Sequence, residues 1–328
     1  MSFKAIFDQF VGKRILVIGD VMIDSYLRGK VNRVSPEAPV PIVSLEKEED
    51  RLGGAANVAI NLVAMGAVPI ICSVVGTDKQ SSDLKELLEA SAISAKGLIF
   101  SETRKTTVKT RVIGNNQQLL RIDSEQTNAI SDTEELLLIN VVKSLIDNGV
   151  DGIIFEDYNK GVLTENFIKS IIAYANLNGI VTTVDPKKDN FLAYKNVTLF
   201  KPNLKELKEG LGLDFSFSTE KDKFEESVVK LESELNNSIS FVTLSEHGVY
   251  IKQEKEVFYT AAHIRNIADV SGAGDTVISI ATLCLVVGLP LNLIAEISNI
   301  AGGLVCEKSG VVSIDKDLLL KETEALLN

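Results

Sequence analysis

Apolar residues along the chain fall into short runs with little alternation: RILVIGD (14–20), IICSVVG (70–76), GIIFED (152–157), IVTTVDP (180–186), VTLFKPN (197–203) and SFVTLS (240–245). Runs of this kind predict parallel strands covered on both faces. Helical patterns lie between the earlier ones. One spans 53–65 and opens on a glycine pair, and another spans 82–90. Ser131 and Glu134 form a capping-box pattern ahead of Leu138, Val141, Val142 and Leu145 at helical spacing, and Gly149 supplies a stop. Strand–helix repetition predicts an α/β sandwich. In such sheets ligands gather beyond the carboxyl ends of the strands. Asp20, Glu156, Asp157, Asp185, Asn203 and Ser245 end or follow these runs. Single acids there serve as turn formers; so many on one edge favour a site.

Two stretches break the repetition. Segments 40–51 and 103–123 have strand character with no helix inside them. In the second, Thr107, Lys109 and Arg111 alternate with Val108, Thr110 and Val112. The alternatives are ordinary edge hairpins or a small antiparallel flap beside the main sheet. Lys109, Arg111 and Arg121 favour the flap, because they are basic in an acidic chain. Pro36, Pro39 and Pro41 stiffen the backbone leading into it.

Composition narrows the function. The 328 residues are 45% hydrophobic, with no low-complexity linker, which predicts one large domain over 1–328. A net charge of −11 argues against a nucleic-acid-binding body. Cys72, Cys284 and Cys306 sit in apolar runs without a CxxC pair and read as buried free thiols in a reducing compartment. The N-terminus lacks a signal-peptide core, and the apolar run 277–287 falls short of the roughly 20 residues that span a bilayer. A cytoplasmic protein without membrane partners is expected. His247 and His263 lie outside metal-ligand spacing.

The strongest motif is Asp269-Val-Ser271-Gly272-Ala273-Gly274-Asp275, followed at once by a nearly all-apolar helix. A buried helix points its N-terminus from inside the fold towards the ligand edge. Glycines there let main-chain N–H groups approach a phosphate closely. Such a cradle suits the charge that develops on a transferring γ-phosphoryl group. Asp275, on the first turn, would face the attacking hydroxyl as base. The helix N-terminus is expected to depress its pKa. A plain glycine turn capped by an acid is the alternative. A dinucleotide fingerprint fits less well, since Val277 stands where its third glycine belongs, and no GxxxxGK[ST] is present.

GGAAN (53–57) near one end and SGAGDT (271–276) near the other resemble the signature pair of the PfkB (ribokinase-like) carbohydrate kinases over essentially the whole chain. Further stretches, among them GDVMIDSYLRG, RVSPEAPVPIV, NNQQLLRID, DYNKGVL, VDPK and KPNLKE, resemble the kinase domain of the heptose-phosphate kinases within that family. The resemblance implies a three-layer α/β/α fold with a mostly parallel sheet and a β-lid formed from about 25–48 and 103–123. It implies ATP-dependent phosphorylation of D-glycero-D-manno-heptose 7-phosphate at its anomeric hydroxyl, on the route to lipopolysaccharide. Ribose, fructose, fructose phosphate, or a non-catalytic sensor on the same fold are the alternatives.

Position by position, the resemblance implies Asp275 as base and Gly272, Ala273 and Gly274 as anion hole. It implies Asp24, Gly53, Gly54 and Asn57 as sugar ligands, with Lys109, Arg111, Gln118, Asp157 and Lys160 near the phosphosugar. Asn203 and Glu206 match the motif that supports Mg2+ through water. Thr243, Ser245, Gly248 and Asn299 match nucleotide positions, and Asp269 and Ser271 a monovalent-cation site for K+. The chain departs from the pattern at Lys188, Leu244, His247, Val311 and Val312. A homodimer joined through the lids is implied. So is a kinase alone, because the pattern ends shortly before Asn328 and adenylyl transfer would fall to another protein.

Overall fold

The computed structural model describes residues 2–327. In chain order the first elements are α1 (Phe3–Asp8), β1 (Arg14–Gly19), β2 (Val21–Val34), β3 (Pro41–Gly54), α2 (Ala55–Ala64), β4 (Val68–Gly76), α3 (Lys79–Ala90) and β5 (Ser94–Ser101). There follow β6 (Thr107–Gly114), β7 (Gln117–Ser124), α4 (Asp132–Asp147), β8 (Gly152–Glu156), α5 (Glu165–Leu177), β9 (Val181–Asp185), β10 (Leu199–Phe200) and α6 (Leu204–Leu211). The last are α7 (Lys221–Leu235), β11 (Ile239–Thr243), β12 (Val249–Gln253), β13 (Glu256–Thr260), α8 (Ala273–Val286), α9 (Leu291–Cys306) and α10 (Lys316–Leu327).

Nine strands form the main sheet in the order β13-β12-β11-β10-β9-β8-β1-β4-β5. Pairing is parallel except where β12 meets β11 and β13. Successive strand residues feed two separate cores. Ile15, Val17 and Ile71 pack with α1, α2, α3, α8, α9 and α10. Leu16, Ile18, Ile70 and Cys72 pack with α4, α5, α6 and α7. Both faces of each central strand are therefore apolar, which is why the runs read without alternation. The result is a three-layer α/β/α sandwich.

A second sheet, ordered β3-β2-β6-β7, takes the place expected of the lid. Its longest pair is β2 and β3, which stay paired from Val21/Gly54 out to Val34/Pro41. The inner third of β2 is buried while its outer part is open to solvent. Residues 35–40, with Pro36 and Pro39, turn the chain at the lid's exposed tip.

Several expectations need adjustment. The run at 197–203 yields only a two-residue strand, because the chain turns at Pro202 into the cap of α6. Strand β2 carries Asp24, Arg28, Lys30 and Arg33 between its apolar residues, so its pattern does not read as a buried strand. The three cysteines are buried and free. Ser131 caps α4 through the reciprocal bonds of a capping box with Glu134, and Gly149 follows its end at φ +84°. Among the described residues no helix is long and apolar enough to cross a membrane.

Candidate active site

The site is built at the carboxyl ends of β1, β8 and β9, where α8 begins. Helix α8 is buried over most of its length. Its apolar sides leave it no orientation other than into the sandwich, and this fixes its N-terminus at the strand ends. Gly272 adopts φ +80°, and a Cβ there would stand 3.0 Å from the Asn57 amide nitrogen and 3.2 Å from Val311. Only glycine suits a left-handed residue in so tight a place.

The turn leaves donors open. Ala273 N–H bonds the Val270 carbonyl at 3.3 Å, and Thr276 N–H bonds Gly272 O at 3.0 Å. Among the described residues, the N–H groups of Gly272, Gly274 and Asp275 have no acceptor. These unpaired donors at a helix N-terminus are an anion seat. An open cleft of about 220 Å³ has Asn57 and Val311 in its wall, the two residues nearest Gly272.

Asp275 is only 7% exposed, yet it makes no ion pair among the described residues. The Asn57 amide donates to its Oδ2 at 2.6 Å, and the Tyr158 hydroxyl lies 3.1 and 3.3 Å from its two oxygens. Burial, followed by the nearby Asp185, pushes its pKa up to about 6, against the donors Asn57 and Tyr158 and the charge of Lys201. This corrects the expectation of a depressed pKa: desolvation inside the sandwich outweighs the helix N-terminus. Asp275 is a stronger base than the helix alone would have made it.

Behind it lies a buried charged network. Glu156, Asp185 and Asp275 can each present an oxygen within 4.8 Å of the others. Lys201 pairs with Asp185 at 2.9 Å, and Lys187 reaches Asp185 at 3.7 Å and Glu206 at 2.7 Å. Burial opposes ionisation of Asp185, but Lys201 and Lys187 hold it below the usual carboxylate range. Glu156 has neither oxygen bonded, and burial together with Asp185 and Asp275 pushes its pKa well up. An orphaned buried carboxylate beside two others is a donor set that fits a hard divalent cation such as Mg2+.

The residues expected on the sugar side gather where the buried end of β2 meets β3, β6 and the start of α2. Asp24 is 6% exposed at the buried end of β2. A Cβ on Gly53 would lie 2.5 Å from the Asp24 carboxylate, which explains the glycine. Gly54, at φ +59°, turns the chain into α2 and delivers Asn57. Arg111 donates to Asp24 at 2.6 Å. Asp24 pairs in register with Lys109, which places Lys109 and Arg111 on one face of β6. Gln118 is exposed on β7, opposite Ile113.

Other predicted residues have full local employment. Asp157 accepts from Tyr194, Asn190 and the Asn159 N–H, and Lys160 pairs with Glu125 at 2.7 Å. Asn203 and Glu206 form the capping box of α6, with Glu206 turned also to Lys187. Thr243 bridges to Asn203, and Ser245 and Gly248 bound the tight turn between β11 and β12. Asn299 donates to the Ala261 carbonyl at 2.8 Å. Asp269 accepts from the N–H groups of Ser271 and Gly310, tying the loop before α8 to the loop after α9. Tyr158, Lys187 and Lys201 were missed as site residues, as were Glu156 and Asp185 beyond their place on the sheet edge.

The comparisons with known proteins agree with this geometry. Residues 13–317 match the model of the pfkB family carbohydrate kinases. Bifunctional protein HldE of Sulfurimonas denitrificans is 39% identical over 319 residues, covering 96% of this chain and 65% of that protein. Bifunctional protein HldE of Helicobacter pylori is 37% identical over 298 residues, covering 91% and 64%. The chain thus spans a little under two thirds of these relatives. Among solved structures, phosphofructokinase-2 from Escherichia coli in complex with potassium superposes with a TM-score of 0.77 at 18% identity, covering 97% of this chain and 100% of that one. Ribokinase from Arabidopsis thaliana complexed with ribose and ATP gives 0.70 at 14% identity, covering 95% and 99%. These distant structures share the fold. The family match over nearly the full chain, laid on the open N–H groups and the buried carboxylate of α8, makes this protein an ATP-dependent carbohydrate kinase of the pfkB family.

Proposed function

We propose that the protein phosphorylates D-glycero-D-manno-heptose 7-phosphate at its C1 hydroxyl, giving the 1,7-bisphosphate. The observation that carries this reading is the pairing of a base site at α8 with a basic lid: Asp275 lies beside Asn57, while Lys109 and Arg111 project from one face of β6. A sugar carrying a phosphate at one end and an acceptor hydroxyl at the other would bridge the two. The motif set shared with the heptose-phosphate kinases, and the identity with the HldE proteins, support the heptose among sugar phosphates.

In the reaction, the acceptor hydroxyl lies against Asp275, which takes its proton late as the new O–P bond forms and the bond from the γ-phosphorus to the bridging oxygen breaks, releasing ADP. The anomeric hydroxyl is more acidic than an ordinary alcohol, so a carboxylate with a pKa near 6 suffices. Asn57 and Tyr158 hold the carboxylate in one orientation. The open N–H groups of Gly272, Gly274 and Asp275 receive the charge that gathers on the phosphoryl oxygens. Lys187 and Lys201 keep Asp185 ionised in a buried place. Mg2+, when bound, would neutralise phosphate oxygens. Glu156 and Asp185 would hold it, and Asn203 and Glu206 would support it through water. Thr243, Ser245, Gly248 and Asn299 would contact the nucleotide, and Asp269 and Ser271 would serve a K+ site. Lid closure over the sugar would exclude water and limit idle ATP hydrolysis.

The lid also argues for a homodimer. Leu120 and Ile122 of β7 are half exposed, on the face opposite Arg111. A second lid would cover them. A cytoplasmic place fits three reduced, buried thiols. The test is ATP turnover with heptose 7-phosphate, fructose 6-phosphate and ribose side by side. Heptose 7-phosphate should give the highest kcat/KM. A higher value for either of the others would overturn the assignment.

A further inference from the structure

The lid face that carries Arg111 holds more positive charge than its known assignments use. Strand register places Asp24, Tyr26 and Arg28 of β2 on one face, with Lys109 and Arg111 of β6 and Glu49 and Arg51 of β3 beside them. Lys47 faces Arg28, and Asp123 and Arg121 of β7 face Lys109 and Arg111, so Arg28, Lys47, Arg51, Lys109, Arg111 and Arg121 stand against Asp24, Glu49 and Asp123, an excess of three positive charges in a chain whose net charge is −11. The guanidinium carbons of Arg28, Arg51 and Arg111 lie 5.4, 5.1 and 5.3 Å from the centre of a single ring, that of Tyr26. Tyr26 is 7% exposed and fixed at the base of the lid.

Like charges gathered so closely repel each other. The ring holds them by cation–π attraction, and two carboxylates offset part of the repulsion. Arg111 is taken by Asp24 at 2.6 Å and Arg51 by Glu49 at 2.6 Å. Among the described residues, Arg28 and Lys109 have no carboxylate partner. Arg51 also reaches the site, because its guanidinium stands 3.7 Å from where a Gly310 Cβ would be, and Gly310 N–H bonds Asp269 just before α8. A doubly charged anion bonded by planar guanidinium forks would neutralise most of this excess.

We propose that Arg28 and Arg51, seated with Arg111 on the Tyr26 ring, form together with Lys109 the seat for the phosphomonoester of a phosphorylated acceptor, and so set the preference for phosphorylated over unphosphorylated sugars. This rests on the sugar-phosphate reading above and adds the residues that enforce it. Arg28 and Lys109 meet the phosphate first. Arg111 joins as the sugar's hydroxyls take over Asp24.

Steady-state kinetics of the wild type, Arg28→Gln, Arg51→Gln and Arg28→Lys test this, each with heptose 7-phosphate, fructose 6-phosphate and fructose. Loss of one charge-assisted fork should raise KM for the phosphorylated sugars about tenfold or more, with kcat reduced less than about threefold. The preference for fructose 6-phosphate over fructose should fall by a similar factor, and Arg28→Lys should recover part of it. Inorganic phosphate should compete with the sugar phosphate in the wild type and less so in the Gln variants. Unchanged KM in both Gln variants of an enzyme active on sugar phosphates would overturn the proposal and leave the sugar-phosphate reading standing. So would phosphate that competes with ATP rather than the sugar. A wild type that turns over fructose but no sugar phosphate would remove both.

Discussion

In the proposed reaction Asp275 concentrates the chemistry at the residue scale, and its environment makes a measurable statement about pH. Its pKa of about 6 stands above the ordinary 3.8 because ionisation inside the fold is costly. A base must be deprotonated to work, so kcat/KM should fall on the acid side with a limb near pH 6. A limb near pH 4 would mean that desolvation does not control the group. The effect on stability has the opposite sense. Between 3.8 and about 6 the folded protein holds a proton that the unfolded chain releases. This group therefore stabilises least above pH 6, and its penalty fades as pH drops towards 4. Asp275→Asn should accordingly raise stability by about 1–3 kcal/mol at pH 7.5 and much less at pH 4, by thermal or urea melts. The GAGD turn was legible from sequence because its glycines and acid adjoin. Tyr158 and Lys201 were not, and Glu156 and Asp185 were legible only as acids on the sheet edge, since the four converge only when β8, β9 and β10 lie side by side.

Among the elements, α8 and α2 act as one clamp. Asn61 of α2 is fully buried, and its Oδ1 accepts from the Thr276 hydroxyl at 3.1 Å and the Ile314 N–H at 3.0 Å. It thereby ties the base helix, the sugar-side helix and the loop after α9 together. Asn61→Ala should cost about 1–3 kcal/mol in a urea melt, since it strands the buried Ile314 N–H and leaves the Thr276 hydroxyl only the Gly272 carbonyl. A loss under 1 kcal/mol would show that water or repacking satisfies them. Gly272→Ala forces a Cβ into a left-handed residue against Asn57 and should cost about 1–2 kcal/mol with a larger fall in kcat than in ATP affinity. Equal falls would place the turn outside the reaction. The buried strands were legible because both their faces pack. Strand β2 was not, because a lid strand meets solvent, charges and core along one length. The basic alternation of β6 did carry the lid in the sequence, since the charges are spaced for one face.

For the whole molecule, the account places two sheets in two roles: the nine-stranded sheet holds the base and the phosphoryl seat, and the four-stranded lid presents charge to the acceptor. The overall α/β order could be read from sequence because parallel strands separated by helices leave few other layouts. The face-by-face charge of the lid could not, because it depends on the register between β2, β3 and β6. The most direct test of the central claim is single-turnover phosphoryl transfer from ATP to heptose 7-phosphate by Asp275→Asn beside the wild type, with ATP binding measured in parallel. The account predicts transfer slowed by about 10²–10⁴-fold with ATP affinity nearly unchanged. Transfer at the wild-type rate by a variant that still binds ATP would contradict it.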